Sequence, residues 1–87
     1  MSNEEIIQKI NEFLVEEFEV EKEVISVEAN LRETLDLDSL DYVDLVVVIE
    51  ENFGFKVTAE DFTNISTFQD FYNYVIQRVE KEKELVQ

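Results

Sequence analysis

The chain has 87 residues, the length of one small domain, and a formal net charge of −15 from 22 acidic and 7 basic side chains. This charge argues against nucleic-acid binding, which needs lysine and arginine at the phosphates, and against docking on anionic membranes. Because cysteine and histidine are absent, a disulfide framework, a cysteine nucleophile and the commonest metal ligands are excluded. The acidic surface favours basic protein partners, although it can also serve solubility alone.

The composition predicts an all-α fold. Proline is absent and Gly54 is the only glycine, whereas strand-rich folds of this size need several turn residues of these types. We expect one domain over residues 1–87, a small bundle of three longer helices and one short helix. A long loop separates the first two long helices, and we expect residues 80–87, which alternate in charge, to fray.

No apolar run approaches the about 18 residues of a membrane span. The N-terminal residues also lack the basic and apolar regions of a signal peptide. We therefore expect a soluble monomer in the cytoplasm, without a metal ion.

The first predicted helix begins with a capping box. Ser2 and Glu5 have the spacing at which each side chain accepts a hydrogen bond from the backbone N–H of the other residue. Apolar residues then recur at helical spacing. They predict one buried stripe, made of Ile6, Ile7, Ile10, Phe13, Leu14 and Phe18.

Residues 19–38 keep no single apolar period and predict a loop of about twenty residues. A loop of this length is unusual in a small domain and is often functional. We expect Leu31 and Leu35 to anchor it on the core, with Ala29 beneath them.

The second long helix is predicted over Ser39–Phe53. Asp38 is a suitable N-cap, Asp41 falls in the first turn, where a carboxylate favours the helix dipole, and Gly54 suits the C-terminal stop. The β-branched run 46–49 has strand propensity, but the length and the cap favour a helix. The spacing predicts an inward face made of Val46, Ile49 and Phe53.

Two further helices are predicted near the C-terminus. A short one covers Ala59–Asn64, with Thr58 and Asp61 as its cap and with Phe62 and Ile65 facing the core. Two pairs could cap the last helix: Ser66 with Gln69, or Thr67 with Asp70. Its apolar stripe consists of Phe68, Phe71, Tyr72, Val75, Ile76 and Val79.

Ser39 is the residue that points to chemistry. With Asp38 as the N-cap, we expect its hydroxyl to lie free and exposed at the first helical position. A group attached there would lie beside free backbone N–H groups of a helix start, which suits a phosphate. Ser39 is therefore a candidate for phosphoryl-type modification, although a serine at this place can also be an ordinary cap residue.

The pattern around Ser39 resembles the acyl carrier protein family. The matching residues are Asp38-Ser39-Leu40-Asp41, then Val43, Asp44, Leu45 and Val46, then Glu50-Glu51-Asn52-Phe53. The resemblance extends over nearly the full chain, and further matches are Ala29, Leu31, Leu35, Ile65 and Thr67-Phe68-Gln69-Asp70. It implies that a separate, magnesium-dependent phosphopantetheinyl transferase attaches 4′-phosphopantetheine to Ser39, which Asp38 and Leu40 flank. The thiol of this arm would carry acyl groups as thioesters, so the resemblance implies a carrier and not an enzyme.

The resemblance also implies a docking face on the helix after the serine. Members of the family bind basic patches of partner enzymes with this acidic helix. The candidate contacts here are Asp38, Leu40, Asp41, Val43, Asp44, Val47, Glu50 and Glu51. The spacing alone also places acidic residues along one side, beside an apolar strip. We expect Leu40 and Val47 to be exposed, whereas Val43 could face either solvent or the core.

Members of the family can enclose the acyl chain between their helices. The matching positions are Leu31, Val46, Ile49, Phe62, Ile65 and Phe71. Many relatives have alanine where this chain has Phe62 and Phe71, and two additional rings fill space in a dense core. We therefore expect a small or closed pocket and a short or poorly sheltered acyl group, unless the helices lie farther apart.

Asp36 departs from the family pattern, because many members have glycine at this position. Aspartate tolerates a positive φ better than most residues, though less well than glycine. It also adds a negative charge near the expected phosphodiester. A dedicated pathway is therefore an alternative to housekeeping fatty-acid synthesis.

Three other functions compete with the carrier. Asp36-x-Asp38 begins like an EF-hand loop, but the next ligand, glycine and bidentate glutamate positions hold Leu40, Asp41 and Val47. An enzyme without histidine or cysteine would need an unusual site. The alternative that stays open is an acidic interaction module without a prosthetic group, and only the context of Ser39 argues against it.

Overall fold

Three long α-helices form the frame of the molecule. The computed structural model describes the backbone of residues 2–86 and the side chains of residues 2–58 and 60–82. The long helices are α1 (Asn3–Phe18), α3 (Ser39–Phe53) and α4 (Phe68–Val86). The short elements are the 3-10 helix η1 (Lys22–Val24), the helix α2 (Leu31–Leu35) and the 3-10 helix η2 (Ala59–Asn64). Residues 2–86 contain no strand, only one isolated β-bridge between Asn30 and Thr67, so the all-α prediction is confirmed.

One hydrophobic core joins the three long helices. Its most deeply buried members include Ile10, Leu14, Leu45, Ile49, Phe68, Phe71 and Val75. Tyr72 adds a polar link, since its buried hydroxyl donates a hydrogen bond of 2.6 Å to Oδ1 of Asn11. Across the part of the chain that the structure describes, no helix combines the length and the apolar character that crossing a membrane requires.

Polar side chains cap the helices where the sequence predicts caps. Ser2 Oγ accepts a hydrogen bond of 3.2 Å from the N–H of Glu5. The Glu5 carboxylate accepts from the Ser2 hydroxyl (3.3 Å), and not from the backbone N–H as in the predicted capping box. At α4 the second of the two predicted pairs is the one observed. Thr67 Oγ1 accepts from the N–H of Asp70, and the Asp70 carboxylate accepts from the N–H of Thr67, both at 3.2 Å.

The segment 19–38 is more ordered than the predicted loop, because it contains η1 and α2. Asn30 starts α2, and its Oδ1 accepts a hydrogen bond of 2.8 Å from the N–H of Glu33. The sequence thus predicted the long connection but not the two short helices within it. A helix of five residues is too short to show a periodic apolar stripe in the sequence.

The same segment is fixed to the core at several points. Leu31 and Leu35 are buried as predicted, and Leu37 is buried in addition. Three backbone hydrogen bonds join the segment to the start of α4: Leu31 N to Ser66 O (2.9 Å), Phe68 N to Ala29 O (3.1 Å) and Gln69 N to Val27 O (3.1 Å). These contacts hold the segment that leads into the start of α3 in a defined position.

The helix α3 has the predicted bounds, but its inward face was predicted only in part: Ile49 is confirmed, whereas Leu45 and Val48 were missed. Leu45, Val48 and Ile49 are buried, whereas Val46 and Phe53 are only half-buried at the edge of the core. The residues 45–49 are all apolar, so periodicity does not separate the two faces there. Gly54 ends the helix with a φ of 79°, a conformation that glycine adopts without steric cost.

The C-terminal elements also follow the prediction with one change of helix type. The predicted short helix is the 3-10 helix η2, in which Phe62 is buried and Ile65 half-buried behind it. The N–H of Thr58 donates to Asp61 Oδ2 at 3.1 Å. The backbone of α4 is helical through Val86, whereas the sequence predicted a frayed tail over residues 80–87. Fraying in solution stays a prediction.

Candidate functional site

Ser39 is the first residue of α3 and is exposed. Asp38 caps the helix: its Oδ1 accepts hydrogen bonds from the N–H groups of Leu40 (2.9 Å) and Asp41 (3.0 Å). Asp41 returns a hydrogen bond by accepting from the N–H of Asp38 at 3.1 Å. The two carboxylates thus hold the helix start by themselves, and the Ser39 hydroxyl makes no hydrogen bond within the described residues. It is free to be modified.

The electrostatics at Ser39 differ from the prediction. The N–H groups of Asp38, Leu40 and Asp41 are occupied by carboxylates, so Ser39 does not lie beside several free amides. Two negative charges already compensate the positive end of the helix dipole. A phosphate that approaches Ser39 therefore meets negative side chains. An enzyme that modifies Ser39 must supply cationic groups or a metal ion of its own.

Asp36 ends α2 in the left-handed conformation, with φ 52° and ψ 52°. Its N–H donates to Glu33 O, and the N–H of Leu37 donates to Arg32 O at 3.0 Å. This arrangement is a Schellman motif, whose left-handed residue is usually glycine. Position 36 thus has the positive φ that glycine adopts freely and that aspartate tolerates better than most residues. The structure also excludes an EF-hand loop here, because residues 39–47, which would have to complete the twelve-residue loop, lie in α3.

The outward side of α3 is an apolar strip beside acidic residues. Leu40, Val43 and Val47 are 75 %, 56 % and 48 % exposed. The exposure predicted for Leu40 and Val47 is confirmed, and Val43, which the sequence left open, also faces solvent. The exposed acidic residues of this helix and its cap are Asp38, Asp44, Glu50 and Glu51, and Asp41 is half-buried. We call the strip and these acids the docking face.

The candidate acyl-pocket residues belong to the core. Leu31, Ile49, Phe62 and Phe71 are buried, and Val46 and Ile65 are half-buried. An open groove of about 720 Å³ lies beside them, and α2, α3 and η2 contribute to its lining. Tyr42 and Phe62 line the groove together with polar residues such as Arg32 and Thr63. All six belong to the one hydrophobic core or pack against it, and only Phe62 and Ile65 line the groove. Their role toward an acyl group stays a prediction.

Two features near the site could not be seen in the sequence. Tyr42 lies one turn after Ser39 and contacts the ring of Phe62, with ring centroids 5.4 Å apart. Tyr74 donates a hydrogen bond to Asp61, thirteen positions earlier in the chain, at 2.9 Å. The aromatic character of both tyrosines was the only available signal, because their partners are set by tertiary packing.

Comparison with known proteins agrees with this geometry. A family model described as a phosphopantetheine attachment site matches residues 8–75, more than half of the chain. The chain is 38 % identical over 77 residues to the acyl carrier protein of Rubrobacter xylanophilus, with 88 % of this chain and 95 % of that protein covered. This chain belongs to the acyl carrier protein family.

Other members of the family match over similar lengths. The acyl carrier protein of Phytoplasma mali is 37 % identical over 75 residues, with 86 % of this chain and 89 % of that protein covered. The acyl carrier protein of Thermosynechococcus vestitus is 32 % identical over 79 residues, which cover 91 % and 98 %. The chain is thus an acyl carrier protein with a phosphopantetheine attachment domain. Acyl carrier proteins are carriers rather than enzymes and act together with acyl-processing enzymes.

Proposed function

We propose that Ser39 is the residue to which 4′-phosphopantetheine is attached. The observation that supports this most is the exposed Ser39 at the first position of α3, whose hydroxyl forms no hydrogen bond with the side chains of residues 2–58 and 60–82 or with the described backbone. When attached, the group supplies a thiol, which this cysteine-free chain lacks, and acyl groups are bound to that thiol as thioesters. The site has room for the group, because the flanking Asp38 and Leu40 are also exposed, although its phosphate would lie near the carboxylates of Asp38 and Asp41.

The chain's own residues position and present the attachment point. Asp38 and Asp41 hold the first turn of α3 through their carboxylates, so that Ser39 needs no role as a cap. The buried Leu37 fixes the chain immediately before this turn. In this account the protein is a single-domain, monomeric, cytoplasmic carrier over residues 1–87. It catalyses no reaction, and its cargo moves between enzymes of fatty-acid synthesis or of a related polyketide or acyl-transfer pathway.

The docking face would bind the phosphopantetheinyl transferase and the acyl-processing enzymes. Its acids would attract basic patches and speed the encounter, in a salt-dependent way. Its apolar strip, Leu40 with Val43 and Val47, would then lose contact with water and hold the complex. An exposed apolar strip on an otherwise highly charged surface is what supports this assignment.

Mass spectrometry of a loading reaction tests the proposal. The purified chain is incubated with coenzyme A, magnesium and a broad-specificity phosphopantetheinyl transferase. We expect a mass gain of one phosphopantetheine, lost in Ser39→Ala and kept in the control Ser26→Ala, which alters another exposed serine. If the wild-type chain stays unmodified with every competent transferase, or if Ser39→Ala is still loaded, the proposal is wrong. An acidic interaction module without a prosthetic group would then be the better description.

A further inference from the structure

The ring of Phe62 fills the space in which α3, η2 and α4 meet. Its centroid lies 5.4 Å from that of Tyr42, 6.1 Å from that of Phe71 and 6.5 Å from that of Tyr74. Phe62 is 5 % exposed, so the rings leave little room around it. An acyl chain that passed from the open groove into the space between these helices would have to displace the Phe62 ring.

A hydrogen-bond network ties η2 to α4. The Tyr74 hydroxyl donates to Asp61 Oδ2 at 2.9 Å, and the same oxygen accepts from the N–H of Thr58 at 3.1 Å. Arg78 extends the network, because its Nη1 donates to the Tyr74 hydroxyl at 3.3 Å. Its Nη2 donates to Lys56 O at 3.0 Å. Residues on both sides of the start of η2 are therefore bound to one side of α4.

The protonation states favour this network. Burial, and then the neighbouring Asp61, raise the pKa of Tyr74 to about 12. The hydrogen bond from Thr58, and then that from Tyr74, hold the pKa of Asp61 below its ordinary value. At neutral pH a neutral phenol thus donates to a charged carboxylate, and a hydrogen bond of this kind is stronger than one between neutral groups.

The short helix η2 needs this support. It has six residues in the 3-10 conformation, whose hydrogen-bond geometry is poorer than that of an α-helix. A helix of this length has almost no stability of its own. Its position depends on the burial of Phe62 in the core and on the link from Tyr74 to Asp61.

We propose that Tyr74 is a specificity-determining residue, a latch that holds η2 and Phe62 closed between α3 and α4. While the latch is closed, an acyl chain stays outside the helices and is presented to enzymes unsheltered. The carrier would then suit short acyl groups, which gain little from enclosure. This cargo claim rests on the proposed attachment at Ser39, whereas the closed position of η2 does not.

Hydrogen exchange on the unmodified protein tests the latch. The N–H groups of Asp61 and Ile65 report on η2, because they donate within the turn that the helix forms, to Thr58 O and Phe62 O. In Tyr74→Phe we expect their exchange, relative to that of amides in α1, to become about fivefold faster. Dividing the exchange rates of η2 by those of α1 corrects for any change in the global stability of the protein.

Tyr72→Phe is the matched control for this measurement. It removes a hydroxyl from the same helix, but one that binds Asn11 of α1 and not η2. We expect the ratio of η2 to α1 exchange to stay unchanged or to fall in this variant. If the ratio of η2 to α1 exchange is unchanged in Tyr74→Phe, or rises equally in both variants, Tyr74 does not hold η2 in place and the proposal is wrong.

The cargo claim is tested on protein loaded with acetyl- or octanoyl-phosphopantetheine. In the wild type we expect hydroxylamine to cleave both thioesters at similar rates. In Tyr74→Phe and in Phe62→Ala, cleavage of the octanoyl thioester should become slower than that of the acetyl thioester. Protection of the octanoyl group in the wild type would overturn the claim. If Ser39 cannot be loaded at all, the proposed function fails together with the cargo claim, and the exchange ratio still decides whether the latch exists.

Discussion

The two faces of α3 both carry leucine and valine or isoleucine, but one face is buried and the other is exposed to solvent. Facing the core are Leu45, Val48 and Ile49, each at most 7 % exposed; facing solvent are Leu40, Val43 and Val47, each at least 48 % exposed. The first set stabilises the fold by removing apolar surface from water. The second set leaves an apolar strip in solvent beside acidic residues, the composition of a docking surface. In this helix the position of a valine or leucine around the helix axis, and not its residue type, decides whether it is buried.

The largest expected difference between the faces concerns stability. Ile49 is fully buried, so Ile49→Ala should lower the free energy of unfolding by about 2–5 kcal/mol through lost burial and a cavity. The control Val47→Ala, on the outward face, should change it by less than about 0.5 kcal/mol. Urea unfolding followed by circular dichroism measures both. Equal losses in the two variants would show that the outward strip is part of the core.

The outward face should matter instead for partner binding. Leu40 is the most exposed residue of the strip, and in a complex it would be buried against the partner. We expect Leu40→Ala to reduce kcat/KM of loading by the transferase about tenfold, with an unchanged free energy of unfolding.

A charge variant on the same face separates the contribution of the apolar contacts, which hold the complex, from that of the acidic residues, which speed association. Asp44→Asn should mainly lower the association rate at low salt and lose its effect at high salt. Surface plasmon resonance against an immobilised transferase measures both rates. If Leu40→Ala binds the transferase as tightly as the wild type does, the docking face does not have the role that we propose.

The N-terminus of α3, where both faces begin, depends on polar contacts. Asp38→Ala removes the acceptor of two backbone hydrogen bonds and should lower the free energy of unfolding by about 1 kcal/mol. Asp38→Asn keeps an acceptor and should cost less. Thermal and urea unfolding compare them. A larger loss in the asparagine variant than in the alanine variant would contradict this account of the cap.

The two left-handed residues allow a smaller test of local strain. Glu19 ends α1 with φ 53°, and Asp36 ends α2 with φ 52°. Replacement of Asp36 by glycine should raise the free energy of unfolding by about 0.5 kcal/mol, because glycine adopts this φ freely. Glu19→Gly should stabilise more, since aspartate tolerates the left-handed region better than glutamate. Destabilisation by both substitutions would show that a side chain at these positions contributes more than the backbone strain.

The smallest effect concerns the start of α4, where a carboxylate has the same capping role as at α3. Hydrogen bonds from the N–H groups of Ser66 and Thr67 lower the pKa of Asp70 below 3.8. The stabilisation from these hydrogen bonds is therefore fully present above pH 3.8, and it is lost as the pH falls through the lower pKa that Asp70 has in the folded protein. The stability difference between wild type and Asp70→Asn should be constant from neutral pH to about 5 and shrink in stronger acid. A difference that grows on acidification would contradict this assignment.

Features that depend on neighbouring residues were predictable from the sequence. The bounds of α3, its cap at Asp38 and the exposure of Leu40 follow from local spacing, and the structure confirms them. The inward face of α3 was predicted only in part, because five consecutive apolar residues, 45–49, carry no period. The helix α2 was missed because it is only five residues long.

Features that depend on distant residues were not predictable. The hydrogen bond between Tyr74 and Asp61, and the contact of Phe62 with Tyr42, join separate elements. Nothing in the local sequence specifies such pairs, because helix packing determines which side chains meet. The occupied amides at Ser39 are a local exception, since the sequence shows that Asp38 can be a cap but not which N–H groups its carboxylate engages.

The most direct measurement of the central claim is the intact mass of the protein isolated from the cells that naturally make it, followed by peptide mapping. The account predicts a mass above that of the chain by one phosphopantetheine, with or without an acyl group, on the peptide that contains Ser39. An unmodified Ser39 in all of this material, or a modification on any other residue, would contradict it.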